Sequence, residues 1–294
     1  MRKAAHSSRK ILDATSFASF VLALALLPIS MGCVIPVGLL LELFVPGSLE
    51  VVVALWLSSA GLLFSKRIVQ LVAFMAVGAR RLTVDEDVLL RPLWAQVTRR
   101  AGLPADRYLL RVVDSNEINA AAVGRHIVCI TGGALRSLPA DELTGVLAHE
   151  LGHHMRLHTA FSVYLCWVLL PMTLWARIGE ALSSFYAALT SGLSSLGMNV
   201  VAGIAAVFGF LFAVLGWALR LPEDIAMSIK NTLSRHAEYR VDAFAANVGY
   251  GPQLIRALRR FEEIGKQVTA AGQPAMQGDD THPALPLRIK RLSQ

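Results

Sequence analysis

His149-Glu150-Leu151-Gly152-His153 is the stretch on which the reading of this chain turns. It has the form H-E-x-x-H and sits inside residues 138–158, whose pattern predicts a helix. Ser137 is placed to cap that helix, and Pro139 falls early in it. Asp141 and Glu142 occupy the first turn, where the helix dipole favours acids. Histidines at i and i+4 share one helix face, so both imidazoles can reach one Zn²⁺. Glu150 is turned about 100° from His149, which puts it beside a metal rather than on it. From there it can take a proton from water. Leu143, Val146 and Leu147 supply a buried face for the helix. Gly152 weakens a helix interior by about 1 kcal/mol, and its presence there implies a close approach by another backbone.

A catalytic zinc site wants a third protein ligand and an open position. His158, five residues past His153, points about 140° away on a helix. The longer pattern H-E-x-x-H-x-x-G-x-x-H fails, because Arg156 and Thr159 stand where Gly and His would be needed. His154 faces elsewhere than His153. For both His154 and His158 a packing or surface role is the favoured reading. Glu238, in Ser234-Arg235-His236-Ala237-Glu238-Tyr239-Arg240-Val241-Asp242, is the better candidate. Glu238 and Asp242 are four apart and share a helix face. Glu238 can bind the metal, while Asp242 can accept a hydrogen bond from a ligand imidazole and fix its tautomer. Spacing alone leaves the alternative of an exposed acidic pair between Arg235 and Arg240 equally open.

Outward from the motif the chain becomes strongly apolar. Residues 159–176 carry no Asp, Glu, Lys or Arg, and after Arg177 and Glu180 none appears again until Arg220. Near the N-terminus the run 14–41 is likewise uncharged, and residues 51–65 form a second, shorter run closed by Lys66-Arg67. A bilayer takes about 20 apolar residues to cross. The first run is longer than a secretory signal core, and Pro28 and Pro36 are possible kinks in it. These runs read as two membrane hairpins, at residues 1–66 and at about 159–220. The chain is 54% hydrophobic and 17% charged, too apolar for an ordinary soluble domain. Its net charge of +7 comes from Lys and Arg flanking apolar runs, and aromatic residues are few. That pattern suits retention on one side of a membrane and argues against a nucleic-acid partner. Basic residues cluster before residue 14, over 66–100 and after Arg220, while the loops 42–50 and 177–198 hold only Arg177. Four spans then leave both ends and the metal motif in the cytoplasm.

Residues 67–158 mix charge with turn residues. Two short β-branched segments, 108–113 and 126–130, predict strands, and the second could pair with an extended substrate by β-addition. Cys33, Cys129 and Cys166 have no ligand spacing and an odd count, so they read as reduced thiols. Ser30-Met31-Gly32 fits poorly as a lipidation signal before Cys33.

Taken together, these motifs resemble the HtpX-like integral-membrane zinc metalloproteases, relatives of the CAAX prenyl endopeptidases. The resemblance includes Glu117-Ile118-Asn119-Ala120-Ala121, the strand at 126–131, the H-E-L-G-H helix, the Ser234–Asp242 motif, and Thr281-His282-Pro283 followed by Arg288. It implies His149, His153 and Glu238 as ligands of one Zn²⁺ and Glu150 as general base. It also implies that Asn119 and His282 reach toward substrate or oxyanion, although from their sequence alone they read as a strand-end turn and a loop residue. Arg288 reads as a brace for the C-terminal helix. Val241 stands where the family usually has Ala, and Ala121 where it usually has an aromatic residue.

The resulting expectation is a mainly α protein with a small β-sheet (α+β), a zincin-like core and about four transmembrane helices in two hairpins. Residues 67–294 would form a cytoplasmic metalloprotease domain interrupted by the second hairpin. By resemblance, the enzyme would hydrolyse membrane or unfolded proteins in quality control at a bacterial inner (cytoplasmic) membrane. Alternatives are a CAAX-type enzyme acting on lipidated peptides, or a non-catalytic metal-binding scaffold, against which the intact Glu150 argues.

Overall fold

The computed structural model describes residues 14–124, 126–155, 158–270 and 283–294. The chain divides into two compact units. One comprises Phe20–Ala60 with Tyr164–Ile229; the other comprises Met1–Ser19, Gly61–Val163 and Lys230–Gln294.

The first unit is helical. It contains most of α1 (Ala14–Glu42), α2 (Ser48–Ser59), and parts of α7 (His158–Ser195) and α8 (Asn199–Asn247). Among the described residues, three segments are long and apolar enough to cross a membrane: Phe17–Glu42, Phe161–Ser195 and Asn199–Ile229. A fourth span would take the bent pair Ser48–Phe64 with Lys66–Met75. Side chains such as Phe210 and Val200 are 68% and 81% exposed, as lipid-facing residues must be in a protein stripped of its bilayer. Where the helices meet, small residues let backbones approach. A Cβ on Gly179 would lie 3.1 Å from the Gly216 Cα. Two indole N–H groups are satisfied internally: Trp175 donates to the Cys33 carbonyl at 2.7 Å, and Trp167 donates to the Ser59 hydroxyl at 2.9 Å. Trp56 and Trp167 stack with ring centroids 4.3 Å apart.

The second unit is layered around a three-stranded sheet of β1 (Leu109–Val113), β2 (Ala120–Val123) and β3 (Ile127–Thr131), in the order β1-β3-β2. β3 pairs parallel with β1 and antiparallel with β2. All five β3 residues are buried because both sheet faces are covered. Val128 and Ile130 join Val112 in the main core. That core also takes in Leu143, Leu147 and Leu151 of α6 (Ala140–Met155), Trp94 and Val97 of α4 (Val84–Arg100), and Leu254 and Leu258 of α9 (Gly251–Ala270). Ile127 and Cys129 pack on the other side against Val69 and Ala73 of α3 (Lys66–Val77). The period-two alternation of a strand therefore divides β3 between two helical layers. α6 and α9 approach so closely that a Cβ on Gly145 would run into the Leu254 backbone nitrogen. Glu142 accepts a two-pronged bond from Arg260 at 2.6 and 3.0 Å beside that contact. Thr83 and Glu86 form a capping box at the start of α4.

Several sequence expectations need correction. Ser137 ends a separate short helix, α5 (Gly132–Ser137), so it does not cap α6, which starts at Ala140. The strand read at 126–130 is central, with both edges taken, and cannot accept an added substrate strand. The edges belong to β1, which Arg80 bridges at Val112, and to β2, an alanine-rich segment whose composition carries almost no strand propensity. The membrane run read up to about residue 220 lies on a longer helix. α8 continues past Pro222 to Asn247 and carries the Glu238 motif on its far end. α1 is likewise one helix, with Pro28 and Pro36, the possible kinks, inside it.

Candidate active site

α6 projects His149 and His153 from one face, with ring centroids 5.0 Å apart and nearly perpendicular. α8 brings Glu238 and Asp242 against them, one turn apart. Glu238 Oε2 lies 3.3 Å from His149 Nε2, and its Oε1 lies 3.3 Å from His153 Nε2. The candidate ligand atoms of these three residues all fall within 4.8 Å of one another, and all three residues are buried. The donor set suits a zinc ion: ligand atoms bonded at 2.0–2.2 Å around a tetrahedral centre lie roughly 3.3–3.5 Å apart. Burial works against a charge on His149, yet hydrogen bonds to Asp242 and Glu238 outweigh it and raise its pKa to about 10. A place that so favours a proton also favours a cation.

Asp242 Oδ1 is 2.9 Å from His149 Nδ1. With the Nδ1 proton held there, the Nε2 lone pair is left facing Glu238. Asp242 is itself gripped by Arg288 of α10 (Leu285–Leu292), with Nε to Oδ2 at 2.9 Å and Nη2 to Oδ1 at 2.6 Å. Burial pushes the Asp242 carboxyl up, but the guanidinium and the imidazole overcome that and hold it at about 2. Arg288 is only 5% exposed. It does tie down the last helix, as the sequence suggested, but by gripping the partner of a candidate ligand. The resemblance marks Arg288 out from its basic neighbours Lys290 and Arg291, but nothing local in the sequence names Asp242 as its partner.

Glu150 is buried on the same helix as the two histidines. Gly152 fulfils its expected role: a Cβ there would stand 2.8 Å from Val241 Cγ1 and 3.1 Å from Phe244 Cδ1. Val241 fills that contact, so the crossing of α6 and α8 depends on the missing side chain. His154 has the packing role expected of it. It is buried with Nε2 2.9 Å from the Ile127 carbonyl oxygen and its ring beside Tyr108. The side chain of His158 and the whole of His282 lie outside the described residues.

Asn119 lies at the head of β2. Its N–H donates to Thr131 Oγ1 at 2.9 Å, and its Oδ1 accepts from the Ala120 N–H at 2.8 Å. Its carbonyl accepts from the Thr131 N–H at 3.0 Å. Asn119 thus faces β3, and by antiparallel alternation Ala122 turns its N–H and carbonyl to the open edge. The three cysteines are free thiols; burial, reinforced by the Glu150 charge, pushes Cys129 up to about 11.

Comparison with known proteins bears on this arrangement. A protease HtpX homolog of Sulfurihydrogenibium sp. is 29% identical over 275 residues, covering 83% of this chain and 84% of the relative. The Gemmatimonas aurantiaca homolog is 28% identical over 253 residues, covering 83% and 81%. In fold, the chain is similar to the crystal structure of S. mikatae Ste24p, with a TM-score of 0.51 at 21% identity over 97% of this chain and 68% of that one. The profile of peptidase family M48 matches residues 87–294, taking in α4, the sheet, the H-E-x-x-H helix, Glu238 and Arg288. This chain therefore belongs to peptidase family M48, as a membrane-embedded metallopeptidase.

Proposed function

We propose that this protein is a zinc endopeptidase whose active site faces the cytoplasm and which cleaves unfolded or membrane-protein segments in quality control at a bacterial inner membrane. The observation that carries the reading is the buried convergence of Glu238 of α8 with His149 and His153 of α6, the helix that also bears Glu150. In this proposal His149, His153 and Glu238 hold one Zn²⁺, and Asp242, steadied by Arg288, orients His149. When bound, the zinc polarises a peptide carbonyl and acidifies water. Glu150 takes the proton from the attacking water and delivers it to the leaving amine. An extended substrate pairs with the open edge of β2, where Ala122 offers a donor and an acceptor. Asn119 holds the head of that edge, and His282 is proposed to face the developing oxyanion.

The orientation rests on the Lys/Arg asymmetry and on an even number of crossings. Ser48–Phe64, twelve α and five 3₁₀ residues, is about 28 Å long, close to the roughly 30 Å of hydrocarbon it must cross. In this arrangement residues 1–66 are the first membrane hairpin, and 67–294 form the protease domain, interrupted by the second at about 159–220.

The test is metal analysis of the purified protein together with casein cleavage by wild type and Glu150→Gln. Both should carry one zinc, while hydrolysis by the variant falls roughly 10²–10⁴-fold, the usual contribution of a positioned base. Residual cleavage above about a tenth of wild type would sink the assignment.

A further inference from the structure

α3 presents two opposed apolar faces, and the described residues cover only one. Val69 and Ala73, four residues apart, are buried against Ile127 and Cys129 of β3. The turn between β2 and β3 rests on the same stripe: Gly124 takes a φ of +59°, and a Cβ there would meet Val69 Cγ1 at 2.6 Å. Leu71, Phe74 and Met75 lie on the opposite side of the helix, with Val72 flanking them. They are 53%, 58%, 76% and 53% exposed. A helix apolar all round is normally buried all round, and a contiguous exposed patch of this kind marks an interaction surface.

Two further observations identify the occupant. The chain enters α3 directly from the apolar segment Ser48–Phe64 of a membrane-embedded protein. The first turn of α3 carries Lys66 and Arg67, both exposed, with no acidic residue. Positive charge at a helix N-terminus is unfavourable to the helix itself, so these cations call for anions from outside it. Arg81, just beyond the C-terminus of α3, is exposed as well. An apolar stripe bordered by cations matches an acyl layer bordered by anionic phosphates. Because Val69 and Ala73 are committed to the sheet, α3 cannot be ringed by lipid as the lower half of a span would be.

We propose that α3 lies in the bilayer interface, with Leu71, Val72, Phe74 and Met75 in the acyl region and Lys66 and Arg67 among anionic headgroups. The sheet is thereby mounted on the membrane through Val69 and Ala73, and the open β2 edge is held at a fixed height where extended segments leave the lipid. The lipid contact rests on the chain being membrane-embedded, not on the zinc or the cytoplasmic orientation.

The test uses the full chain in phosphatidylethanolamine–phosphatidylglycerol vesicles. On a Cys166→Ser background, which leaves the two buried cysteines, Met75→Cys carries an environment-sensitive fluorophore. Lys266→Cys on the exposed side of α9 is the control. Acyl-chain spin labels should quench the probe at 75 several-fold more than the probe at 266. In parallel, Leu71→Gln/Phe74→Gln/Met75→Gln should cleave casein in detergent within twofold of wild type, because these residues do not touch the sheet. The same variant should lose roughly tenfold on a peptide anchored in the vesicle, where proximity sets the rate. A probe at 75 with water-like emission and no lipid quenching overturns the proposal. So does a probe shielded from water yet untouched by the lipid-borne quencher, which would mean that a protein covers the face. If the chain proves inactive throughout while the probe at 75 is lipid-quenched, the catalytic reading fails and this one stands.

Discussion

Gly152→Ala adds one methyl group at the crossing of α6 and α8, and the structure fixes where it goes. The new Cβ would stand 2.8 Å from Val241 Cγ1, 3.1 Å from Phe244 Cδ1 and 3.4 Å from the Val241 carbonyl oxygen. Carbon contacts settle at about 3.5–4.0 Å, so the clash asks for a retreat of roughly 0.5–1 Å. Val241 cannot supply it by rotating, since a β-branched side chain in a helix has essentially one χ1 well. The retreat therefore falls on α8, which carries Glu238 three residues before Val241 and Asp242 one residue after it. Metal ligands tolerate shifts of about 0.2 Å, and misplacing catalytic groups by about 1 Å can cost a hundredfold in rate. Overpacking should destabilise by about 1–3 kcal/mol, partly offset by the roughly 1 kcal/mol that Ala gains over Gly in a helix. The expected phenotype is therefore a protein of nearly unchanged melting temperature with zinc affinity down at least tenfold and casein cleavage down about a hundredfold. Gly152→Ala/Val241→Ala makes room for the methyl and should recover most of both. The measurements are zinc titration with a competing chelator and initial rates at saturating zinc. A Gly152→Ala protein with full zinc and activity within twofold of wild type would refute the argument, as would a double variant no better than the single one.

Glu238→Ala should abolish stoichiometric zinc and activity together, whereas Asp242→Ala should weaken zinc by roughly 10–100-fold, the usual effect of losing an orienting partner, and recover at high metal. Normal zinc in Glu238→Ala would show that the ligand set is wrong. A reporter fused after Gln294 should behave as cytoplasmic and one inserted near Ser191 as exported or membrane-buried; a protease-accessible C-terminus in intact spheroplasts would contradict the topology. Arg80 bonds Glu86 and Asp114 at 2.7–2.8 Å and holds both carboxyls below their ordinary values. Their contribution to stability is thus present above the unfolded value of about 4 and is lost as pH falls through the lower folded values. The difference in melting temperature between wild type and Arg80→Ala should therefore shrink below about pH 4, and an equal difference at pH 7 and pH 3 would count against this.

What could be read in advance was whatever a short pattern encodes. The spacing of His149 and His153, the uncharged run of α1 and the capacity of Gly152 for close approach are local properties, and each appears in the structure where the sequence placed it. Charge, by contrast, marks where lipid ends and not where a helix ends. Hence the apolar run closes at Arg220 although the hydrogen bonding of α8 carries on through Pro222 to Asn247. The composition of Ala120-Ala121-Ala122 gives β2 little strand propensity of its own, and its pairing with β3 holds it. The signal that β3 is central was available: an unbroken apolar run, Ile127 to Ile130, fits a strand covered on both faces better than one at an edge. The grip of Arg288 on Asp242 joins residues 46 apart, and no local pattern specifies such a pairing.

On the proposed ligand set, the parts of the site are synthesised far apart in time. The two imidazoles and Glu150 leave the ribosome together, but Glu238 follows 85 residues after His153 and Arg288 another 50 after that. At about 5–20 residues per second, the nascent chain spends on the order of ten seconds with the catalytic base made and its metal site lacking a ligand. During that interval an unfolded, extended polypeptide, its own remainder, is the substrate nearest to hand. On that ligand set, dividing the metal site between α6 and α8, and tying α8 to α10 through Asp242, would postpone hydrolysis until Glu238, Asp242 and Arg288 have all been made.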